Sequence, residues 1–357
     1  MSKLQDFCLQ ITDGEHRSCE EDTNGSYYML NNQNITEAGI MIKETDRRIS
    51  DQDFLKIQKR LQLECGDVVI ATCGTIGKLQ ILDSRPDFIF SRSVGIVKCD
   101  RKKLLPEFLR YYLMQSVVQK RLKMLVSGMP GHICVQDLKN FEVSIPDIAV
   151  QKQIAEKLDP VEKKIRNNFQ IIKEVHETAE DLCRYWSSLE FKNGTVGELI
   201  QLMDGKTCGC SEVGAYPVYA SGGIIKYVDR YMSAGPALII PRKGSLNHIQ
   251  YASGPFWASD TVFYAKELVP NAATYLYYIL QNYDLWKKNT GSAIPSLTKE
   301  AVYSIKVPML SKDNLFKFAR AAKTLLKIEM QAQKENQQLM ILRKDLLEVL
   351  MNDMVRN

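Results

Sequence analysis

Apolar residues in this chain fall into two kinds of run. One kind is short and nearly continuous, Gly66-Asp67-Val68-Val69-Ile70-Ala71 and Gly235-Pro236-Ala237-Leu238-Ile239-Ile240, each closing on a glycine turn, Cys73-Gly74-Thr75-Ile76-Gly77-Lys78 and Arg242-Lys243-Gly244-Ser245. Runs of this kind between glycine turns predict strands. The other kind is long and sparse. Ile154, Leu158, Val161, Ile165, Asn168, Ile172, Val175, Ala179, Leu182, Trp186 and Leu189 alternate four and three apart, as do Phe318, Ala321, Leu325, Ile328, Ala332, Glu335, Leu339, Leu342, Leu346 and Val349. Two heptad seams of this length, each with one polar member, predict helices that pack a narrow stripe against one partner helix rather than into a globular core. The simplest partner for each is the other helix of the chain.

The two kinds of run recur in the same order, with a half-period of about 160 residues, too long for a solenoid repeat. After the first strand and glycine turn comes a strand pair, Phe88 to Val97 matched by Phe256 to Ala265, rich in β-branched and aromatic residues. A helix from Pro106 to Lys123 follows, its Phe108-Leu109-Arg110-Tyr111-Tyr112-Leu113 echoed by Tyr275-Leu276-Tyr277-Tyr278-Ile279-Leu280, with Pro106 and Pro270 at first-turn positions. The halves close on Ser127-Gly128-Met129-Pro130 with Phe141 to Pro146, and on Thr290-Gly291-Ser292-Ala293 with Tyr303 to Pro308. Ahead of the first strands, Asp13-Gly14-Glu15-His16 and Asp204-Gly205-Lys206 share only a glycine turn. A short helix from Asp147 to Leu158 is expected to stop where Asp159 caps a new one, with Pro160 in its first turn and Glu162 completing a capping box. The fold class is α+β: two similar mixed domains and two long helices forming an antiparallel coiled coil, with segments 1–146, 147–190, 191–308 and 309–357.

At 357 residues, and with about 150 residues per domain as a prior, two cores are expected. Nine scattered cysteines in a chain of this length suit a reducing cytosol. No signal pattern opens the chain and no apolar run approaches the roughly 20 residues of a membrane span, so it reads as soluble and cytoplasmic. The net charge of +5, from 47 basic and 42 acidic residues, permits a polyanionic partner only if basic groups cluster.

Two diverged domains of this strand order, each followed by a heptad helix, resemble the specificity subunit of Type I restriction-modification systems. The resemblance is carried by Gly66-Asp67-Val68-Val69 through Gly74-Thr75-Ile76-Gly77, by Ile154-Ala155-Glu156-Lys157-Leu158 after Gln151-Lys152-Gln153, and by Tyr216-Pro217-Val218-Tyr219-Ala220-Ser221-Gly222-Gly223-Ile224. Gly235 to Gly244 followed by Phe256-Trp257-Ala258-Ser259-Asp260-Thr261-Val262 is similar to the same family. It implies two target-recognition domains, each reading half of a split, asymmetric duplex DNA site, held apart by an antiparallel helical pair. It also implies methyltransferase subunits docked on helices and domains, and a motor-nuclease subunit joining for cleavage. No cofactor is expected in this chain; S-adenosylmethionine, ATP and Mg would be used by the partners.

The residues offer no chemistry that competes with this. A methyltransferase needs an Asn/Asp-Pro-Pro-aromatic element, and the chain has no Pro-Pro dipeptide. A nuclease pattern can be forced onto Pro146-Asp147 with Glu162-Lys163-Lys164, or onto Pro86-Asp87 with Asp100-Arg101-Lys102, and two accidental fits carry little meaning. Cys208-Gly209-Cys210 reads as a glycine turn with two thiols rather than a metal site. The four histidines, His16, His132, His176 and His248, stand apart, with no nucleophile and oriented base. Bases are read by side chains on loops and phosphates are held by cations and amides. The expected DNA contacts are therefore His16, Thr75, Lys78, Arg92, Ser127 and His132 in the first half, and Lys206, Lys226, Tyr227, Arg242, Lys243, Ser245, Asn247 and Ser292 in the second. Two other readings stand beside this one: the recognition subunit of a smaller system with a fused methyltransferase-nuclease partner, and a coiled-coil scaffold that binds no DNA.

Overall fold

The computed structural model describes residues 2–17, 19–43, 45–128, 131–189, 192–210, 213–281 and 283–356, and only the backbone of 352–356. Met129 and Pro130 of the expected closing turn, and Glu190 at the expected end of the first helical segment, lie outside the described residues. The chain divides into two compact units, Met1–Gln170 with Gln333–Asn357, and Ile171–Ala332. Among the described residues no helix is long and apolar enough to cross a membrane.

The first unit contains β1 (Cys8–Asp13), β2 (Tyr27–Leu30), β3 (Arg47–Ile49), α1 (Asp51–Leu61), β4 (Val68–Ala71), β5 (Leu79–Ile81), β6 (Phe88–Phe90), β7 (Val94–Cys99), α2 (Pro106–Met114) and α3 (Ser116–Met124). An antiparallel sheet of order β1-β7-β4-β5 packs over a smaller one of order β3-β2-β6, in which β2 and β6 run parallel. Strand β4 reads as a continuous apolar run because both its faces are covered. Val68 and Ile70 point into the core shared with α2 and the long helices, while Val69 and Ala71 point into the core between the sheets. The helix expected from Pro106 to Lys123 is two helices, because Gln115 leaves helical geometry at φ −58° and ψ 137°.

The second unit repeats this plan with β8 (Ile200–Asp204), β9 (Tyr216–Ala220), β10 (Gly223–Val228), β11 (Ala237–Pro241), β12 (Gln250–Ala252), β13 (Trp257–Ala258), β14 (Val262–Glu267) and α4 (Ala272–Gln281). Its sheets have the orders β8-β14-β11-β12 and β10-β9-β13, the same as in the first unit, again with one parallel pair. Strand β11 divides like β4: Leu238 and Ile240 enter one core, Ala237 and Ile239 the other. The units differ at the edge of the smaller sheet, which is a plain hairpin here and a strand leading into α1 in the first unit. Pro270 lies ahead of α4, whose first turn is capped by Glu267, accepting from the amides of Asn271 (3.1 Å) and Ala273 (2.8 Å).

The first long helix runs unbroken from Ile148 to Ser188 with Pro160 inside it, correcting the expected stop at Leu158. A proline inside a helix costs about 3 kcal/mol, and here the burial of Ile154, Leu158 and Ile165 on one stripe keeps the segments in line. Asp159 and Glu162 do not cap. Asp159 accepts from the Tyr111 hydroxyl at 2.8 Å, and Glu162 is buried between Arg110 (2.5 Å) and Arg343 (2.9 Å). The second long helix spans Lys312–Arg356. Within the first unit the two run antiparallel, since Glu162 meets Arg343 while Asn168 meets Glu335 at 2.9 Å.

The register read for the second helix needs correction at alternate positions. Phe318 and Ala332 are buried as expected, but Ile328 is 41% and Leu342 45% exposed, and Ala321 and Val349 face outward as well. The buried positions fall one residue later, at Ala322, Glu329, Asn336 and Arg343. Three of these are polar and are met across the helix pair or from the domains. Arg343 holds Glu162, Asn336 donates to the Ile165 carbonyl at 3.3 Å, and Glu329 meets His176 at 2.8 Å and the Tyr277 hydroxyl. Leu189, expected in the first seam, lies just past the end of that helix and is 50% exposed. The same sequence interval separates Arg110 from Tyr277, Glu162 from Glu329 and His176 from Arg343, so each unit builds the same node where a domain helix meets both long helices.

Candidate nucleic-acid interface

At one end of each large sheet the connecting loops are laced together by backbone hydrogen bonds, and the lacing is the same in both units. In the first, the Thr72 amide donates to the Ser93 carbonyl, Ile133 to Thr72, Ser91 to Leu30 and Gly14 to Val94. In the second, Arg242 donates to Thr261, Leu297 to Arg242, Ser259 to Tyr219 and Gly205 to Val262. Two hydroxyls complete each network. Ser91 and Ser93 stand 2.8 Å apart, as do Ser259 and Thr261. The amide of Asn32 donates to the Ser93 hydroxyl at 3.0 Å, and that of Ser221 to Thr261 at 3.2 Å.

The glycine turns that directly follow β1 and β8 belong to this lacing. A Cβ on Gly14 would meet the carbonyl oxygens of Phe90 and Ser91 at 2.2 Å, and one on Gly205 would meet the Ser259 oxygen at 1.9 Å. Only glycine admits the loops to this distance. The preceding aspartates orient the face: Asp13 lies 2.7 Å from His16 Nε2, and Asp204 pairs with Lys299 (2.6 Å) and Arg242 (3.8 Å). Beside His16, Glu15 pairs with Arg60 at 3.1 Å. Burial pushes the Glu15 carboxyl up, but the Arg17 amide and the Arg60 guanidinium outweigh it and hold the group below the ordinary carboxylate range.

Of the residues expected to touch DNA in the first half, His16, Thr75, Arg92, Ser127 and His132 come together on this loop face, all exposed. Lys78 turns to a neighbouring cleft lined also by α3 and the second long helix. In the second half, Lys206, Arg242, Lys243, Ser245 and Ser292 lie on the matched loops. Asn247 is on the same loop as Ser245 but donates to Asp284 at 3.1 Å, and Lys226 and Tyr227 sit further out along β10. Sequence reading missed Asn32, Ser91, Ser93, Ser221, Asp260, Thr261 and His248, whose Nδ1 lies 3.2 Å from the Ser221 carbonyl. The signal was present in Ser91-Arg92-Ser93 and Ser259-Asp260-Thr261, a matched pair of hydroxyls flanking an exposed tip residue. Cys208 and Cys210, expected as two thiols, are joined by a disulfide; their Cα atoms are 5.3 Å apart, within the range such a bridge needs.

Two sheets in this order, written twice, with a loop face on each and long paired helices, define a duplicated two-unit α+β fold. The profile of the Type I restriction modification DNA specificity domain matches residues 1–177 and 189–337, and the chain belongs to that family. It is 24% identical over 143 residues to the Type I restriction enzyme HindI specificity subunit of Haemophilus influenzae, a match covering 39% of this chain and 31% of that protein. It is 26% identical over 129 residues to the EcoBI specificity subunit of Escherichia coli, covering 34% of this chain and 27% of that one. The match thus spans about a third of these curated relatives. The S subunit of the Type-I restriction-modification system from M. genitalium superposes with a TM-score of 0.55 at 19% identity, covering 98% of this chain and 95% of that one, and shares the fold.

Proposed function

We propose that this chain is the DNA specificity subunit of a Type I restriction-modification complex, with no catalytic site of its own. The loop face of each unit reads one half of a bipartite, asymmetric duplex site. The observation that carries this reading is the repeated backbone lacing with different side chains at matched positions. Arg92 corresponds to Asp260, Thr72 to Arg242 and His132 to Ser296. One scaffold carrying two sets of donors and acceptors suits two different half-sites, because bases are told apart by the donor and acceptor patterns they present in the groove.

The long helices and the domains dock methyltransferase subunits, and a motor-nuclease subunit joins for cleavage. S-adenosylmethionine, ATP and Mg belong to those partners, and the complex works in the cytoplasm. The test is methylation mapping of DNA from cells that express this chain with its methyltransferase, compared with cells lacking only this chain. A split asymmetric motif that vanishes with the chain is the expected result. Unchanged methylation would reject the proposal and bring the protein-scaffold reading forward.

A further inference from the structure

We infer that the cleft in the first unit between the Gly74–Lys78 turn, α3 and the second long helix binds backbone phosphate of the DNA whose bases the neighbouring loops read, so that this unit grips as well as reads. The inference rests on the function proposed above. The cleft has a volume of about 730 Å³ and draws lysines from three separate elements: Lys78 from the turn, Lys123 from α3 and Lys344 from the long helix. All three are exposed, and among the described residues none is ion-paired.

The other charges lining the cleft already cancel. Glu37 accepts from Arg343 at 3.1 Å, and Glu162, behind the wall, takes the other arm of Arg343 together with Arg110. The lysines are left without a counter-charge. Arg110, only 2% exposed, also lines the cleft, and its Nε has no hydrogen-bond partner. A buried arginine in the wall beside three ammonium groups that have no counter-charge is chemistry for an anion with several oxygens.

Position identifies the anion as part of a nucleic acid strand. Thr75 lines the cleft and also donates to the Asn32 carbonyl at 3.3 Å within the loop face, so a strand lying on that face continues into the cleft. Among the described residues the second unit has no matching helix surface. The interval that relates Arg343 to His176 carries Lys344 to Glu177 and Leu347 to Glu180, both acidic. The grip belongs to one half of the molecule.

The experiment uses the full chain assembled with its methyltransferase partner, comparing the wild type with the triple variant Lys78→Gln, Lys123→Gln, Lys344→Gln. Affinity for a duplex bearing the mapped site and for an unrelated duplex is followed against potassium chloride. At about 0.9 of slope per neutralised phosphate, the variant should lose about two to three from the slope of log affinity against log salt on both duplexes, and lose affinity for both by the same factor. An unchanged slope overturns the inference. So does a defect confined to assembly with the methyltransferase, which would assign the lysines to an acidic protein surface, or saturation of the wild-type cleft by free ATP without effect on duplex affinity. A wild-type complex with no sequence-selective duplex binding would instead remove the functional reading beneath it.

Discussion

The two helix nodes occupy matched positions and are built from opposite chemistry. In the first unit Glu162 lies between two guanidiniums, Arg110 and Arg343, with Glu37 beyond. In the second, Glu329 is met by a phenol, Tyr277, and an imidazole, His176. Burial pushes the Glu162 carboxyl up, but Arg110 first and Arg343 next outweigh it and hold the group below its ordinary range. Burial likewise works against the charge on Arg343, and Glu37 and Glu162 more than restore it. In the second unit burial raises the neighbouring Tyr278 phenol, and it stays neutral. What the duplication keeps is a glutamate at the crossing of three helices. Whether two guanidiniums or a phenol and an imidazole meet it is free to differ.

The largest expected effect separates the nodes. Glu162→Gln leaves the buried Arg110 without a counter-charge and Arg343 with Glu37 alone, and breaking a buried pair by removing one partner costs about 3–5 kcal/mol. Glu329→Gln removes hydrogen bonds to groups that can be neutral, a loss of about 1–2 kcal/mol. Amide hydrogen exchange resolves each helix segment separately. The first variant should lose far more protection between Ile154 and Asn168 than the second loses between Val175 and Cys183. Equal losses would show that the nodes are energetically alike and that the contrast in charge is incidental.

A pH series sharpens the same contrast. The Glu162 carboxyl has a folded pKa below its unfolded value of about 4.3. Its contribution is therefore fully present above that value and is lost as the pH falls through the lower folded pKa. Protection of the first-unit node should hold from neutrality down to about pH 4.5 and then decline. Decline already at pH 6 in the wild type, absent from Glu162→Gln, would contradict the assigned direction.

Most of the plan was legible because burial by apolar residues leaves a trace in sequence. The runs Val68 to Ala71 and Ala237 to Ile240 announced central strands, and the alternation through Ile154, Leu158 and Ile165 announced a helix stripe. The register of the second helix was misread for the same reason. Ile328, Leu342 and Val349 attract an apolar seam, whereas the true positions hold Glu329, Asn336 and Arg343, whose partners come from elements far off in sequence. A hydrophobic pattern cannot register a polar residue that is buried because something distant satisfies it. The loop face was legible in part. Its glycine turns and several exposed cations could be read, but the lacing is backbone to backbone, and only the paired hydroxyls of Ser91-Arg92-Ser93 and Ser259-Asp260-Thr261 mark it in side chains.

Smaller effects compare the loop faces. Gly14→Ala and Gly205→Ala each drive a methyl into backbone carbonyl oxygens that cannot swing away. Overpacking of this sort costs about 1–3 kcal/mol, and here the loops must move apart. Each variant should blur recognition of one half of the methylated motif and leave the other half sharp, as read by methylation mapping. If either variant degraded both halves equally, the two faces would not be independent readers.

The finest comparison is at the loop tips, where Arg92 and Asp260 are both exposed between paired hydroxyls. A guanidinium there can bind guanine or phosphate oxygens, and a bidentate pairing with a base is worth about 1–3 kcal/mol, so Arg92→Ala should weaken binding to the site by about that amount. A carboxylate repels phosphate and accepts from the cytosine amino group, so it discriminates without adding general affinity. Asp260→Asn should therefore leave overall duplex affinity within a few fold while shifting preference at one base pair of the second half-site, with an amide that pairs best with adenine. Competition binding with duplexes changed one base pair at a time measures both. An Asp260→Asn variant with raised affinity for every duplex and no change in preference would mean that the carboxylate only repels, and that the second face reads its bases with Arg242, Lys243 and their neighbours instead.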